Sequence, residues 1–245
     1  MGDLTMRVAH AVVALSLITA GCVSSSSSTS SVIGIGASTM PNPGPQAGWR
    51  TLFDGTSLNA WRGYKSEAVP AGWRIVDGAI VKEKGAEDLM TRDQFANFEL
   101  DLEWKLAKGG NSGIFYRGTQ EYDHIYWSAP EYQLLDDANA PDGQDRLTSA
   151  AAAYALYPPP AGVVKPFDEW NTTRIIVNGA HVEHWLNGQK VVEYELWSPD
   201  WKAKVAESKF AAYPHYGLAK KGYIGIQGDH NGALSLRNIR IRELP

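Results

Sequence analysis

Nine consecutive residues, Phe98-Glu99-Leu100-Asp101-Leu102-Glu103-Trp104-Lys105-Leu106, alternate strictly between apolar and charged side chains. A β-strand sends successive side chains to opposite faces, so such a segment needs a second layer over its apolar face and a polar medium on the other. Hairpin signals surround it. Asp77-Gly78 separates Trp73–Val76 from Ala79–Lys82, Asn178-Gly179 follows residues 174–177, and Asn187-Gly188 precedes residues 189–194. Asn-Gly and Asp-Gly supply the positive φ of tight two-residue turns. Residues 170–196 therefore read as a three-stranded meander, and residues 223–227 and 234–242 as two later strands. One helix is expected over residues 198–210, with Ser198 as cap, Pro199 at the first helical position and Trp201, Val205 and Ser208 on one face. No heptad, repeat or βαβ alternation competes with this pattern. The expectation is all-β: a single domain over residues 48–245, two packed sheets with one short helix.

The amino terminus follows another logic. Residues 8–18 are apolar except for His10 and Ser16, and Thr19-Ala20-Gly21 leads to Cys22. The run is shorter than the roughly 20 residues a membrane-spanning helix needs. It reads as a signal peptide over residues 1–21, with Cys22 as the lipidation site. It resembles the bacterial lipoprotein signal, with Thr19 where that pattern prefers Leu. Asp3 offsets the positive charge of Arg7, and a start at Met6 would give a better signal. A serine tract and a Gly/Pro-rich stretch make residues 22–47 a tether. The expected location is the bacterial cell envelope, on the periplasmic side or at the outer membrane, with the membrane as a partner through the lipid anchor.

Charge and cysteine content narrow the function. Lys and Arg number 23 against 27 Asp and Glu, a net charge of −4, so no cationic surplus exists for a phosphate backbone and nucleic acid is not an expected partner. A single Cys builds neither an intrachain disulfide nor a Cys-rich zinc site. The 9 Trp and 11 Tyr suit strands and also stacking against sugar rings.

Four segments could carry chemistry. In Glu131-Tyr132-Gln133-Leu134-Leu135-Asp136, Glu131 and Gln133 share a strand face, and a bulge at Leu134-Leu135 would bring Asp136 to it. The spacing resembles the bulged catalytic strand of laminarinase-type glucanases, except that Gln133 and Asp136 stand where two carboxylates of other lengths are expected. A retaining glycosidase needs its two carboxyls about 5–5.5 Å apart. Alternatively, Glu131 is an ordinary strand-edge charge. A glycine-rich turn leads through Asn111 into a strand on which Phe115 and Arg117 share a face; it lacks the lysine and helix of a phosphate loop, and a plain surface hairpin explains it equally well. His124 lies among Tyr122, Tyr126 and Trp127 and could be an acid, a base, a ligand or a structural residue. Gln227-Gly228-Asp229-His230 places an amide, a carboxylate and an imidazole on one inter-strand loop, either bordering a site or forming a polar turn. By contrast, His181-Val182-Glu183-His184 puts His184 on the opposite face from His181 and Glu183, which reads as a solvated strand rather than a metal motif.

Several of these pieces occur in an order that resembles the bacterial 3-keto-disaccharide hydrolase domain family. They are Gly48-Trp49-Arg50-Thr51-Leu52-Phe53-Asp54-Gly55 with Leu58 and Trp61, Gly72-Trp73-Arg74-Ile75-Val76-Asp77-Gly78, and Phe98-Glu99-Leu100 with Glu103. Asn111-Ser112-Gly113-Ile114-Phe115-Tyr116-Arg117, the Glu131–Asp136 segment, Glu169-Trp170-Asn171, Trp185-Leu186-Asn187-Gly188 and Arg237-Asn238-Ile239 complete the series. The sequence departs near its end, where Gly228 separates Gln227 from Asp229 and Ser235 and Leu236 replace aromatics. The resemblance implies a concanavalin A-like jelly-roll β-sandwich acting on glycosides whose C3 hydroxyl has been oxidised to a ketone. An upstream sugar 3-oxidoreductase is then a functional partner. On that reading Glu131 is the base at C2, Arg117 the donor to the C3 oxygen, and His124 or His230 the acid for the leaving oxygen. Asn111, Gln133 and Gln227 orient hydroxyls, Trp127 stacks, and Asp136 or Asp229 orients a histidine or water. No cofactor is expected, and a divalent metal is not readable from the sequence. A non-catalytic lectin-like module and an ordinary laminarinase-type glycosidase are the alternatives.

Overall fold

The computed structural model describes residues 48–245 apart from Lys84 and Asn231, so the expected signal peptide, Cys22 and tether lie outside the described residues. Thirteen strands follow in order: β1 (Trp49–Phe53), β2 (Trp61–Gly63), β3 (Trp73–Val76), β4 (Ala79–Lys82), β5 (Leu89–Phe95), β6 (Phe98–Leu106), β7 (Asn111–Gly118), β8 (Glu131–Leu135), β9 (Asn171–Asn178), β10 (His181–Leu186), β11 (Gln189–Glu195), β12 (Gly222–Ile226) and β13 (Leu234–Glu243). One helix, α1 (Pro199–Glu207), precedes β12. Its cap is the expected one, with Ser198 accepting from the Trp201 N–H, but it ends at Glu207 and a separate 3-10 turn covers Lys209–Ala212.

All pairings are antiparallel. The larger sheet runs β11-β10-β9-β6-β13-β4-β3, with β1 also paired to β13, and the smaller runs β2-β5-β12-β7-β8. This is the two-sheet sandwich that the strand pattern predicts, with the jelly-roll architecture that the resemblance implies. The alternation of β6 holds throughout: Phe98, Leu100, Leu102, Trp104 and Leu106 are buried and the charged residues between them are not. The Asp77-Gly78 hairpin joins β3 to β4 in the expected register, Val76 opposite Ala79.

Between the sheets lies one core containing Trp61, Trp104, Tyr116, Tyr132, Ile114, Ile224 and Leu236. A chain of hydrogen bonds pairs several of its buried polar atoms, whereas the Trp201 indole N–H and the Tyr216 hydroxyl are buried without a partner. The Trp104 indole donates to Thr173 (2.9 Å), Thr173 to the Tyr132 hydroxyl (2.8 Å), and Tyr132 to the Trp185 carbonyl (3.2 Å). His184, which faces away from His181 as expected, donates from Nδ1 to the Ala151 carbonyl (2.9 Å) and accepts from the Tyr116 hydroxyl at Nε2 (3.0 Å). Burial pulls its pKa down to about 4.

A second, smaller cluster, Met90, Phe115, Ile125 and Ala129, lies on the other face of the small sheet. Alternation along β7 is what divides the two: Ile114 and Tyr116 point into the main core and Phe115 points outward. That outward face carries the site.

Candidate functional site

Three adjacent strands of the small sheet, β8, β7 and β12, present a row of polar side chains on this outward face. Glu131 and Gln133 come from β8, Asn111 from the start of β7, and Gln227 from the residue just after β12. They line a cavity of about 190 Å³, closed by Tyr126, Asp142, Tyr154, Lys209, Phe210, Asp229 and His230. Backbone pairing explains how the loop residues arrive. The segment after Ser149 runs along the free edge of β8: Ala151 N–H donates to the Gln133 carbonyl (2.8 Å), Gln133 N–H to Ala152 (3.1 Å) and Tyr154 N–H to Glu131 (3.1 Å). The His184 bond to Ala151 fixes this segment to the core.

Glu131 is 6% exposed and lies over Gly113, where a Cβ would come within 2.0 Å of the carboxylate. Glycine at that position makes the space in which the carboxylate sits. Burial pushes the Glu131 pKa up to about 8, with Asp88, Asp229 and Asp142 adding to the rise and Lys209 opposing it. Lys209 also stacks over the Tyr154 ring, 4.3 Å from its centroid. Beside Glu131, Gln133 is 1% exposed and Gln227 5%, and the Oε1 atom of each is buried without a partner. Buried acceptors of this kind cost about 1–3 kcal/mol each unless a donor reaches them.

Behind the wall, two buried charges hold the 227–230 loop. Lys82 Nζ donates to the carbonyls of His230 (2.9 Å) and Asn111 (3.4 Å), tying two sides of the cavity together. Asp88 accepts from the Gly228 N–H (2.8 Å). Burial pulls Lys82 down to about 8 and pushes Asp88 up to about 6.

Of the residues singled out from sequence, Glu131, Asn111, Gln133, Gln227, Asp229 and His230 meet at the cavity. Four do not line it. Asp136 is one: β8 pairs with β7 in regular register through Leu135, without the expected bulge, and Asp136 follows the end of the strand. Its carboxylate instead accepts from the Gly109 N–H (2.8 Å) and from Asn139, clamping a turn. Arg117 is another. The register between β7 and β12 slips between Phe115 and Gly118, Arg117 adopts φ 53°, and the side chain leaves the Phe115 face. Its guanidinium donates to the carbonyls of Ala96 (2.7 Å) and Gly179 (2.8 Å) and to Asn97 (3.2 Å). His124 stacks on Tyr126, with ring centroids 4.9 Å apart, and Trp127 stacks on Tyr213 at the same spacing. Both therefore support the aromatic rim behind Tyr126.

The remaining lining residues, Tyr126, Asp142, Tyr154, Lys209 and Phe210, were not singled out as site residues. Asp142 and Lys209 belong to short 3-10 turns, whose position over β8 has no periodic signature. Away from the cavity, His181 contacts Glu195 (2.7 Å) and Glu183 (3.2 Å), and Lys190 contacts Glu183 and Glu193, so this set forms an ion-paired strand surface.

Together these features define a jelly-roll sandwich with a polar cleft on one sheet face, rich in acceptors for a polyhydroxylated ligand. The chain belongs to the 3-keto-alpha-glucoside-1,2-lyase-like domain family, which it matches over residues 48–242. It is 38% identical over 229 residues to a 3-keto-disaccharide hydrolase of Bacteroides thetaiotaomicron, covering 80% of this chain and 79% of the relative. Two crystal structures from Parabacteroides distasonis, both described under a provisional glycosyl hydrolase name, share its fold. One is 32% identical with a TM-score of 0.76, covering 81% of this chain and 94% of that one. The other is 30% identical with a TM-score of 0.63, covering 80% and 99%.

Proposed function

We propose that the protein cleaves 3-keto-glycosides, of the 3-keto-disaccharide class named for its relative, by elimination across C1–C2 followed by hydration. The observation that carries this reading is Glu131: a buried carboxyl on the cavity wall whose pKa is raised to about 8. A base works best when its pKa lies near the working pH. A ketone at C3 acidifies the C2 proton, and Glu131 takes that proton while the C2–H electrons flow into the enolate. Collapse of the enolate breaks the C1–O bond, and the departing oxygen receives a proton. Water then adds across the resulting enone, so the net change is hydrolysis. An upstream sugar 3-oxidoreductase would supply the ketone.

Lys209 takes the part that the sequence pattern suggested for Arg117. Its cation lines the cavity, whereas the Arg117 donors are spent on Ala96, Gly179 and Asn97. A fixed cation near C3 stabilises the enolate oxygen more than the neutral ketone, which is the differential binding that acceleration requires. His230, exposed on the rim, is the acid for the leaving oxygen. A double-displacement glycosidase fits less well. The same-face position next to Glu131 holds the neutral Gln133, and Asp136 is committed to Gly109 and Asn139.

The test compares a 3-keto-glucoside with the unoxidised glucoside. Release from the oxidised compound alone is expected, with a rate that falls when C2 carries deuterium. Glu131→Gln should lower turnover by about 10²–10⁴ while sugar binding persists. Release from the unoxidised compound would favour the ordinary glycosidase, and binding without release from either would favour the lectin-like module.

A further inference from the structure

The amide of Gln133 is oriented end for end by a chain of hydrogen bonds that starts at a carboxylate. An ionised carboxylate only accepts, so the bond of 3.1 Å to Asp142 Oδ2 requires the nitrogen end of Asn111 to face Asp142. Asn111 Oδ1 is thereby turned the other way, where it accepts from Gln133 Nε2 at 3.3 Å. The end of Gln133 left over is Oε1, buried and without a partner. Amide orientation follows from the network, and here each link leaves one choice. Gln227 provides the contrast. Its Oε1 is also buried and unpartnered, yet among the described residues no carboxylate-anchored chain sets its direction.

We infer that the Asp142–Asn111–Gln133 relay makes Gln133 a one-directional acceptor for a single substrate hydroxyl, so that the cavity selects for a hydrogen-bond donor at that position. Asp142 is the positioning residue: it acts on substrate through Asn111 and Gln133. The inference rests on the proposed reading that the cavity holds an oxidised glycoside. Glu131 and Gln133 are two residues apart on one strand face, about 6.5–7 Å along it. With Glu131 at C2, the hydroxyl that meets Gln133 lies across the ring, at C4 or C6, or on the leaving sugar.

A hydroxyl donates and accepts, a C–F group only accepts, and a C–H group does neither. Hydroxyl, deoxy and deoxyfluoro triplets at C4, at C6 and on the leaving sugar therefore read the direction of the amide. At one position the parent protein should lose at least about 100-fold in kcat/KM on removal of the hydroxyl, because a buried acceptor is left unpaired, and fluorine should restore nothing. Gln133→Leu should abolish that difference. Asp142→Asn replaces the obligate acceptor with a group that also donates, so Asn111 and Gln133 can both turn round. The deoxyfluoro compound should then gain at least about tenfold over the deoxy compound. A structural role for Asp142 would lower all three rates together, and that outcome overturns the inference. Cleavage of the oxidised parent compounds with no position showing Gln133-dependent selectivity overturns it too, while leaving the proposed function intact. Failure to cleave any oxidised compound overturns the proposed function instead. Triplets of the unoxidised glycoside, measured as dissociation constants, then decide the relay: the same directional pattern supports it, and equal affinities overturn it.

Discussion

Glu99, Asp101 and Glu103 on β6 and Glu131 and Gln133 on β8 occupy equivalent places, each on a sheet face that points away from the main core. Their surroundings differ completely. On β6 every carboxylate has a cation: Glu99 pairs with Arg242, Asp101 with Arg174 (2.7 Å) and Arg240 (2.9 Å), and Glu103 with Arg237 (2.6 Å). The indoles of Trp49 and Trp170 are capped by Arg240 and Arg237, at 4.4 and 4.0 Å from their centroids. On β8 the carboxylate is buried with its pKa raised, and the amide beside it keeps an unpaired oxygen. A polar face whose charges are mutually neutralised has nothing left to offer a ligand. The face with unmet groups is the one proposed to bind.

The comparison breaks most severely at Gly113. Its φ is not in the left-handed region, so alanine is tolerated by the backbone, but the added methyl would lie 2.0 Å from the Glu131 carboxylate oxygen and 2.7 Å from its carboxyl carbon. The carboxylate must move. Misplacement of a reacting group by about 1 Å can cost about 100-fold, so Gly113→Ala should lower kcat/KM by at least about that factor with the thermal transition nearly unchanged. Activity within a factor of two of the parent would show that the position of Glu131 over Gly113 is unimportant.

A smaller effect concerns stability against pH. The folded pKa of Glu131 is raised from 4.5 to about 8, so across that window the folded state holds a proton that the unfolded chain has released. The stabilisation belonging to this group is complete below the unfolded pKa and is lost as pH rises through about 8. His184 works oppositely: its pKa falls from 6.5 to about 4, and its contribution is lost as pH falls through that window. Glu131→Gln removes only the first dependence. The variant should be more stable than the parent above neutral pH, by roughly 1–3 kcal/mol, with the difference shrinking toward pH 5. Denaturant unfolding at several pH values measures it, and a pH-independent difference would contradict the raised pKa.

How far the sequence already disclosed this arrangement depended on the range of the forces involved. The alternation of Phe98–Leu106 and the turn at Asp77-Gly78 are local, and the strands formed where the pattern required. Glu131 and Gln133 were legible because strand alternation alone puts them on one face of β8, and the Gln227–His230 loop because a loop carrying an amide, a carboxylate and an imidazole at a sheet edge often borders a site. Arg117 was not, since its departure from that face depends on a slip in pairing with β12 at a non-glycine residue with φ 53°. Asp136 was misplaced for the converse reason, a bulge expected where the β7–β8 ladder is regular. Asp142, Tyr154 and Lys209 reach the cavity on turns and edge segments positioned by long-range packing, including the Ala151–His184 bond. Nothing in the few residues around them carries that information.

The smallest effect is expected on the other face, and its smallness sharpens the comparison. Asp101 is held by two arginines, Arg174 through both carboxylate oxygens and Arg240 through one. Asp101→Asn keeps the shape and removes the charge, leaving Arg174 and Arg240 facing each other with no carboxylate between them. Partly exposed ion pairs contribute about 1 kcal/mol or less because solvent already screens them. The variant should therefore lose at most about 1 kcal/mol, and less in high salt, where the charge interactions are damped further. Its kcat and KM should match the parent, since the β6 carboxylates point away from the main core that separates them from the cavity. A fall in kcat larger than twofold at unchanged stability would mean that the ion-paired face also takes part in binding or turnover, and the division of labour between the two faces would have to be abandoned.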